Sequence, residues 1–180
     1  MLVTKRLHLR DFAPGDFEAV HAYASEPLVT RYTAFGPNTE ADTREFIDRV
    51  TAESSARPRQ NHTFAMILSS TEALIGGVGL DLADAVGPQY SLGYCLHASH
   101  WGRGFGTEAV GRILQFGFVE LRAWRICAHV FVGNLVSARL LSRLGFRLEG
   151  TFRQSTFVRG TWHDEMVFAL LVSEWRDSGP

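Results

Sequence analysis

A glycine-rich turn between an apolar strand and an amphipathic helix constrains the fold of this chain more than any other feature. The segment YCLHASHWGRGFGT leads into a stretch whose apolar side chains recur at helical spacing. Gly102, Gly104 and Gly106 lack the Cβ atoms that would keep a polyanion away from the main chain, so successive N–H groups can point inward. The helix contributes its positive N-terminus, and Arg103 adds a permanent charge. The sequence therefore predicts a phosphate-binding turn in an α/β fold.

Two other phosphate-binding architectures fit the sequence less well. A nucleoside-triphosphate P-loop needs a lysine directly after its glycines, whereas the only lysine of this chain, Lys5, is far from any glycine turn. The spacing Gly104-x-Gly106-x-x-Ala109 does match a dinucleotide-binding turn. The next predicted strand, however, ends in Gly-Asn rather than in the acidic residue that would hold a ribose. An NAD-dependent oxidoreductase is therefore the less favoured alternative.

Composition and charge narrow the class of protein further. The 18 basic and 19 acidic side chains leave a net charge of −1, which predicts no direct binding to nucleic acid and no attraction to an anionic membrane. No run approaches the roughly 20 apolar residues of a membrane span, and the first residues lack the apolar core of a signal peptide, so we expect a cytoplasmic protein. We expect residues 1–180 to form one domain. Cys95 and Cys127 lie in apolar strand-like runs, which predicts free thiols and no metal site.

Hydrophobic periodicity predicts about seven strands and about four helices in an α/β order. The predicted strands are Thr4 to Arg10, Thr63 to Leu68, Ala73 to Leu82, Tyr90 to Leu96, Arg125 to Val132, Phe146 to Val158 and Trp162 to Leu171. The predicted helices are Pro14 to Ala24, a segment capped by Asn38 or Thr39 that ends before Pro58, Thr107 to Leu121, and Val136 to Leu144. The glycine turn thus lies between the fourth strand and the third helix.

Two segments, LGYCLHASHWGRGFGTEA and HVFVGNLVSARLLSRLGFRLEG, resemble the acetyl-coenzyme-A core of the GNAT superfamily of N-acetyltransferases. The resemblance is strongest to the branch of ribosomal-protein N-terminal alanine acetyltransferases, in which Trp-Gly-Arg/Lys-Gly is the usual form of the turn. The general pyrophosphate loop of the family reads Gln/Arg-x-x-Gly-x-Gly/Ala, so Trp101 departs from its first position. The second signature, Asn134-x-x-Ser137 followed by Leu-Gly-Phe, stands at the expected distance downstream.

The resemblance implies a mixed, mostly antiparallel sheet that splays into a V between the fourth and fifth predicted strands. The pantetheine arm of acetyl-coenzyme A would lie in this V and use backbone groups that the separated strands leave unpaired. Asn134 has a second interpretation, since an asparagine at this position also caps the following helix. The residues implied to bind the cofactor are Cys95, Leu96, Trp101, Gly102, Arg103, Gly104, Phe105, Gly106, Thr107 and Asn134.

The resemblance also suggests catalytic candidates. Many members place a tyrosine acid where this chain has Leu141, one helical turn after Ser137 on the same face. The ribosomal-protein branch uses a serine at the earlier point, so Ser137 is the candidate donor to the leaving sulfur, although a serine there can also cap the helix. The glutamate proposed as the base in that branch is replaced here by Thr156. Glu149, acting through a water, is the remaining candidate base, and a purely structural role for it is equally compatible with the sequence.

The implied activity is acetyl transfer from acetyl-coenzyme A to a primary amine in a ternary complex. The acceptor is either a protein N-terminus or a small amine, and Arg31, Tyr32, Phe35 and Trp162 are expected to border its site. Because the usual tyrosine and glutamate are absent, a catalytically silent acyl-coenzyme-A-binding module is an alternative. The sequence leaves the oligomeric state open, and a dimer formed through the final strands is compatible with it.

Overall fold

One mixed sheet of eight strands organises the protein. The structure is a computed structural model and describes residues 1–176. In chain order the strands are β1 (Leu2–Val3), β2 (Leu7–Asp11), β3 (Asn61–Leu68), β4 (Ala73–Asp84), β5 (Gln89–Leu96), β6 (Arg125–Phe131), β7 (Arg147–Val158) and β8 (Thr161–Leu171). Their spatial order is β1-β2-β3-β4-β5-β6-β8-β7, and all neighbours are antiparallel except the parallel pair β5 and β6.

Helices cover both faces of the sheet. They are α1 (Phe17–Ala24), α2 (Pro27–Thr30), α3 (Glu40–Ser55), α4 (Phe105–Gln115) and α5 (Leu135–Arg143). Thr39 caps α3, because its side chain accepts from the Asp42 N–H while the Asp42 carboxylate accepts from the Thr39 N–H. Within residues 1–176 no helix is long and apolar enough to cross a membrane, and no three His, Cys, Asp or Glu side chains are grouped as metal ligands.

The predicted mixed, mostly antiparallel fold is confirmed, with one more strand and one more helix than predicted. The additions are the two residues of β1 and the four residues of α2, which are too short to produce a periodic pattern. Helix α4 begins at Phe105 rather than at Thr107. The apolar spacing did not mark this start, since Gly106 has no side chain to contribute to a stripe.

Two hydrophobic clusters hold the helices against the sheet. On one face, α1 and α3 pack Val20 and Ile47 against Ala65 of β3. On the other face, the larger cluster includes Ile113 of α4 and Leu141 of α5, both fully buried. Removing one side chain of this size from water stabilises the fold by about 1.5–3 kcal/mol. The two layers fix the ends of β4, β5 and α4, where the site described below is located.

The sheet opens between β5 and β6. These strands pair at only three positions, of which the last joins Ser91 to Cys127, and the remaining parts of both strands separate. The opening, formed by residues 92–96 of β5 and 128–131 of β6, is called the V below. Strand β6 stays paired with β8 along its whole length, so only its edge toward β5 is open. The predicted V is therefore present, between the strands for which it was predicted.

Candidate active site

The glycine turn leads directly into the N-terminus of α4, beside the V. Gly102 and Gly104 have φ angles of +71° and +82°, which other residue types rarely adopt. Gly104 is the N-cap residue and no side chain caps α4, so the N–H groups of its first turn are available to an anion. Gly106 lies in the first turn of α4, where its lack of a side chain also has a packing role. A Cβ there would approach Leu140 Cδ1 to 3.2 Å, so this glycine allows α4 to pack closely on α5.

Arg6 braces the turn from the start of β2. Its Nη1 donates to the Arg103 carbonyl at 2.9 Å, its Nε donates to Glu108 at 2.6 Å, and its guanidinium lies 4.4 Å from the centroid of the Phe105 ring. Partial burial alone would raise the pKa of Glu108, but hydrogen bonds from Thr4 and Arg6 outweigh it and hold that pKa below its usual value. Sequence reasoning missed this brace because its members are about a hundred positions apart.

Replacing Arg6 by alanine should weaken coenzyme A binding about five- to tenfold. The variant loses the hydrogen bond that holds the Arg103 carbonyl in place, and it loses a positive charge near the turn. Isothermal titration of coenzyme A measures the change. Arg57→Ala is the matched control, because Arg57 is exposed and contacts only the nearby carbonyls of Ser54 and Ala56. Equal affinity of the Arg6 variant and the unmodified protein would contradict a role for the brace in phosphate binding.

The strand before the turn presents different groups to its two sides. A Cβ on Gly76 would collide with the Cys95 carbonyl oxygen, so this carbonyl is directed toward β4 rather than toward the V. The Leu96 carbonyl accepts a hydrogen bond from Trp101 Nε1 at 2.9 Å, which fixes the Trp101 ring beside the V. The Cys95 side chain lines a cavity on the α1 and α3 face of the sheet. Burial raises the pKa of that thiol to about 12, so it stays protonated and is a poor nucleophile.

Ser137 and Asn134 lie where α5 follows β6. Asn134 Oδ1 accepts from the Ser137 N–H at 3.2 Å, so Asn134 acts as the N-cap, one of its two predicted roles. The Ser137 hydroxyl lies 2.6 Å from the hydroxyl of Tyr94 on β5. Sequence reasoning missed Tyr94, which reads as an ordinary apolar position of a strand.

Glu149 has an environment that disagrees with its predicted role as a base. Its carboxylate forms a two-pronged ion pair with Arg125, which lies at the closed end of the V. The hydrogen bonds from Arg125 hold the pKa of Glu149 below its ordinary value. An exposed carboxylate that is already paired and has a lowered pKa accepts a proton poorly. We therefore interpret Glu149 as a link between β6 and β7.

A cavity of about 620 Å³ lies between helices α1 and α3 and strands β4 and β5. Its lining includes Gly93, Tyr94 and Cys95, which belong to the part of β5 that has separated from β6, so the cavity reaches the V. A Cβ at Gly93 would meet no atom within 4 Å, which leaves room beside the strand. Phe35 lines this cavity, and its contact with an acceptor stays a prediction.

The other three predicted acceptor-site residues lie outside the cavity lining. Tyr32 lies against Gly133, where a Cβ would be 3.6 Å from the tyrosine ring, and Arg31 lies 5.2 Å from the centroid of the Tyr32 ring. Trp162 is 56% exposed and packs on Phe157 at the end of the last hairpin. Tyr32 therefore contacts the turn before α5, whereas Trp162 is a surface residue of the hairpin.

Two carboxylates of the cavity lining have no partner. Within residues 1–176, neither the carboxylate of Asp81 on β4 nor that of Glu45 on α3 forms an ion pair or a hydrogen bond. Burial, helped by the nearby charge of Glu53, raises the pKa of Asp81 against the opposing effect of Arg49. The Asp81 carboxylate still touches solvent through the open cavity, so water can exchange with a ligand there. The cavity lining has three carboxylates, those of Asp42, Glu45 and Asp81, and one cation, Arg49, which is ion-paired with Glu53, so the cavity is suited to a cation.

Arg159 ties the last hairpin to the loop that covers this cavity. Its Nη1 donates to the carbonyls of Phe35 at 3.1 Å and Gly36 at 2.7 Å, and its Nη2 donates to that of Thr33 at 3.1 Å. Phe35 and Gly36 are part of the cavity lining. We call this set of contacts the Arg159 latch. It joins positions more than 120 residues apart, which no local pattern could indicate.

The split sheet and the uncapped helix N-terminus beside it define the fold class of the GNAT acyltransferases. A family profile for the acetyltransferase (GNAT) domain matches residues 6–147. The uncharacterized N-acetyltransferase p20 of Bacillus licheniformis is 33% identical over 174 residues, which are 97% of this chain and 97% of that protein. The chain therefore belongs to the GNAT family of acetyltransferases.

Solved structures show the same fold. The crystal structure of a GNAT-family acetyltransferase from Bacillus anthracis superposes with a TM-score of 0.85 at 30% identity, over 96% of this chain and 99% of that chain. Spermidine N-acetyltransferase from Vibrio cholerae, crystallised with CoA and spermine, gives a TM-score of 0.82 at 22% identity, over 95% of this chain and 98% of that chain. At this lower identity the second likeness concerns the fold alone.

Proposed function

We propose that this protein is an acetyl-coenzyme-A-dependent N-acetyltransferase whose acceptor is a small cationic amine. The observation that carries the acceptor class is the pair of partnerless carboxylates, Asp81 and Glu45, in a cavity that reaches the V. Neither carboxylate has an ion pair of its own within residues 1–176, and an ammonium group entering the cavity supplies the opposite charge and hydrogen bonds. The spermine held by the Vibrio cholerae enzyme is an amine of this class.

The residues around the V fit the cofactor that the family implies. The first-turn N–H groups of α4 and the exposed Arg103 suit a pyrophosphate, and the open edge of β5 around Leu96 suits an amide-bearing arm. When bound, acetyl-coenzyme A supplies an acetyl thioester, whose transfer to an amine forms a C–N bond and breaks a C–S bond. Trp101 narrows the space beside this edge through its bond to the Leu96 carbonyl.

Asp81 holds the ammonium and accepts its proton. Its raised pKa makes it a better proton acceptor than an ordinary aspartate. An ammonium has no free lone pair, so Asp81 takes one proton before the attack and releases it to water through the open cavity. The nitrogen then attacks, and its second proton, which becomes strongly acidic as the C–N bond forms, leaves by the same route. The protonated Cys95 thiol takes no covalent part, so the transfer is direct.

The test combines ligand-dependent stability with turnover. Coenzyme A at about a hundred times its Kd should raise the melting temperature by about 5–10 °C, and NADH should not. Release of free thiol from acetyl-coenzyme A should then be faster with a diamine than with the monoamine of equal chain length, because Asp81 and Glu45 together favour two positive charges. Turnover only with peptides beginning in Ala or Ser would assign a protein N-terminus as the acceptor instead. Binding without any turnover would indicate a silent module.

A further inference from the structure

A hydrogen bond between two hydroxyl groups spans the V. Tyr94 lies on β5, three residues beyond Ser91, the last position at which β5 pairs with β6. Ser137 lies in the first turn of α5, which follows β6. Their oxygen atoms are 2.6 Å apart. The two sides of the opening are therefore connected by side chains where their backbones have separated.

The chemistry of the two groups sets the direction of this bond. A phenol is far more acidic than an aliphatic hydroxyl, so Tyr94 is the better donor and the Ser137 oxygen the better acceptor. Burial raises the pKa of Tyr94, against a smaller opposing effect of the bond to Ser137, so the phenol keeps its proton throughout the neutral range. Tyr94 therefore donates, and the proton of Ser137 is left for another acceptor.

Ser137 has no such acceptor within residues 1–176. Later in the same helix, Ser142 donates to the Ala138 carbonyl one turn back, at 3.0 Å. The Ser137 hydroxyl makes no bond of this kind, and its N–H is already used by Asn134. A half-buried hydroxyl that accepts from Tyr94 and has an unused proton is a donor prepared for a ligand.

We propose that Tyr94 is a positioning residue, whose bond to Ser137 holds the serine hydroxyl as the donor to the sulfur atom of coenzyme A. The inference rests on the proposed function and adds Tyr94 to it. The donor stabilises the thiolate without protonating it, because a serine hydroxyl is a much weaker acid than a thiol of pKa about 8.5. When the C–S bond breaks, the electron pair stays on sulfur, while the proton of the amine goes to Asp81.

The test titrates the thiol of coenzyme A bound to the protein, followed by the ultraviolet absorbance of the thiolate. In the unmodified protein the thiol pKa should lie about one unit below that of free coenzyme A, the size expected for one hydrogen bond to a charged acceptor. Tyr94→Phe and Ser137→Ala should each remove most of this shift, and the double variant should remove no more than Ser137→Ala. Tyr90→Phe is the control, because Tyr90 lies on the same face of β5 at the closed end of the V.

The outcomes separate this inference from the proposed function. The titration requires binding but no turnover, so a shifted thiol in a protein that acetylates no amine would support the inference and overturn only the proposed activity. If the thiol pKa of bound coenzyme A is the same in Tyr94→Phe as in the unmodified protein, the inference is overturned. If, in addition, this variant melts at a lower temperature, the role of Tyr94 is purely structural. Ser137→Thr keeps a hydroxyl and should therefore keep the lowered thiol pKa. Comparing it with Ser137→Ala tests the inference even if Tyr94→Phe does not fold. Failure to bind coenzyme A would overturn both proposals.

Discussion

Replacing Asp81 by asparagine should lower kcat/KM for the amine acceptor about a hundredfold, because the variant loses the proton acceptor of the cavity together with its charge. Asparagine has the same shape, so packing around β4 is preserved. Steady-state thiol release at varied acceptor concentration measures the loss. Asp84→Asn is the matched control, since Asp84 lies on the same strand, outside the cavity lining, and accepts only from the Val86 N–H.

The pH dependence has a definite sign. The pKa of Asp81 is raised mainly by burial, so the unmodified enzyme should lose kcat/KM as the pH falls through a value above that of an ordinary aspartate. In Asp81→Asn this acid limb should be missing. An acid limb of equal position in both proteins would assign the proton acceptor to another group, with Glu45 the next candidate from the cavity lining.

The stability of the same variant should move in the opposite direction to its activity. A raised pKa means that the charged form of Asp81 is less favourable in the folded protein than in the unfolded chain. The fold is thus favoured by protonation at low pH, and this contribution is lost as the pH rises through the folded-state pKa. Asp81→Asn should therefore unfold at an equal or higher temperature than the unmodified protein at neutral pH. A clearly lower melting temperature would indicate that the activity loss came from misfolding.

The features that could be predicted from the sequence are those formed by residues that follow one another in the chain. The strand, the glycine turn and the start of α4 follow one another, so a local pattern contains the proposed phosphate-binding turn, although not the Arg6 side chain that braces it. The turn Arg159-Gly160 likewise predicts the last hairpin, and both residues have the positive φ angles of a tight two-residue turn. Alternation and helical spacing predicted the strands and helices, whereas the mixed sheet and its opening between β5 and β6 were predicted only from the resemblance to the GNAT family.

The parts that could not be predicted are contacts between distant segments. Asp81 reads as the polar position of an alternating strand, and only the packing of α3 over β4 places it in a cavity. Tyr94 and Ser137 are 43 positions apart, and no periodicity links a strand residue to a residue of a later helix. Its position close after a Gly-Phe pair suggests Glu149 as a base, whereas the structure places Glu149 at an irregularity of β7, where its side chain pairs with Arg125. These roles depend on which side chains of distant segments meet in the folded protein, and no local sequence pattern indicates those contacts.

The Arg159 latch should control the affinity for the acceptor without affecting the cofactor. Its donors meet main-chain carbonyls of the loop that carries Phe35 and Gly36, and both of these residues line the cavity. The turn and first residues of α4, which suit the phosphates, have no contact with this loop through Arg159. Loss of the guanidinium should therefore loosen one wall of the acceptor cavity and leave the coenzyme A side of the V unchanged.

Arg159→Asn should raise KM for the amine acceptor about tenfold, with KM for acetyl-coenzyme A unchanged, because several hydrogen bonds from a charged donor are lost. Asparagine is chosen because Arg159 has a φ of +51°, and asparagine tolerates this conformation better than most residues. Arg159→Lys should give an intermediate value, since a single ammonium cannot reproduce the planar fork of donors. Arg153→Ala, at an exposed arginine of β7, the strand that precedes Arg159, should match the unmodified enzyme. If both KM values rise together, the latch supports the whole V, and if neither changes, the loop is held in place by its own packing.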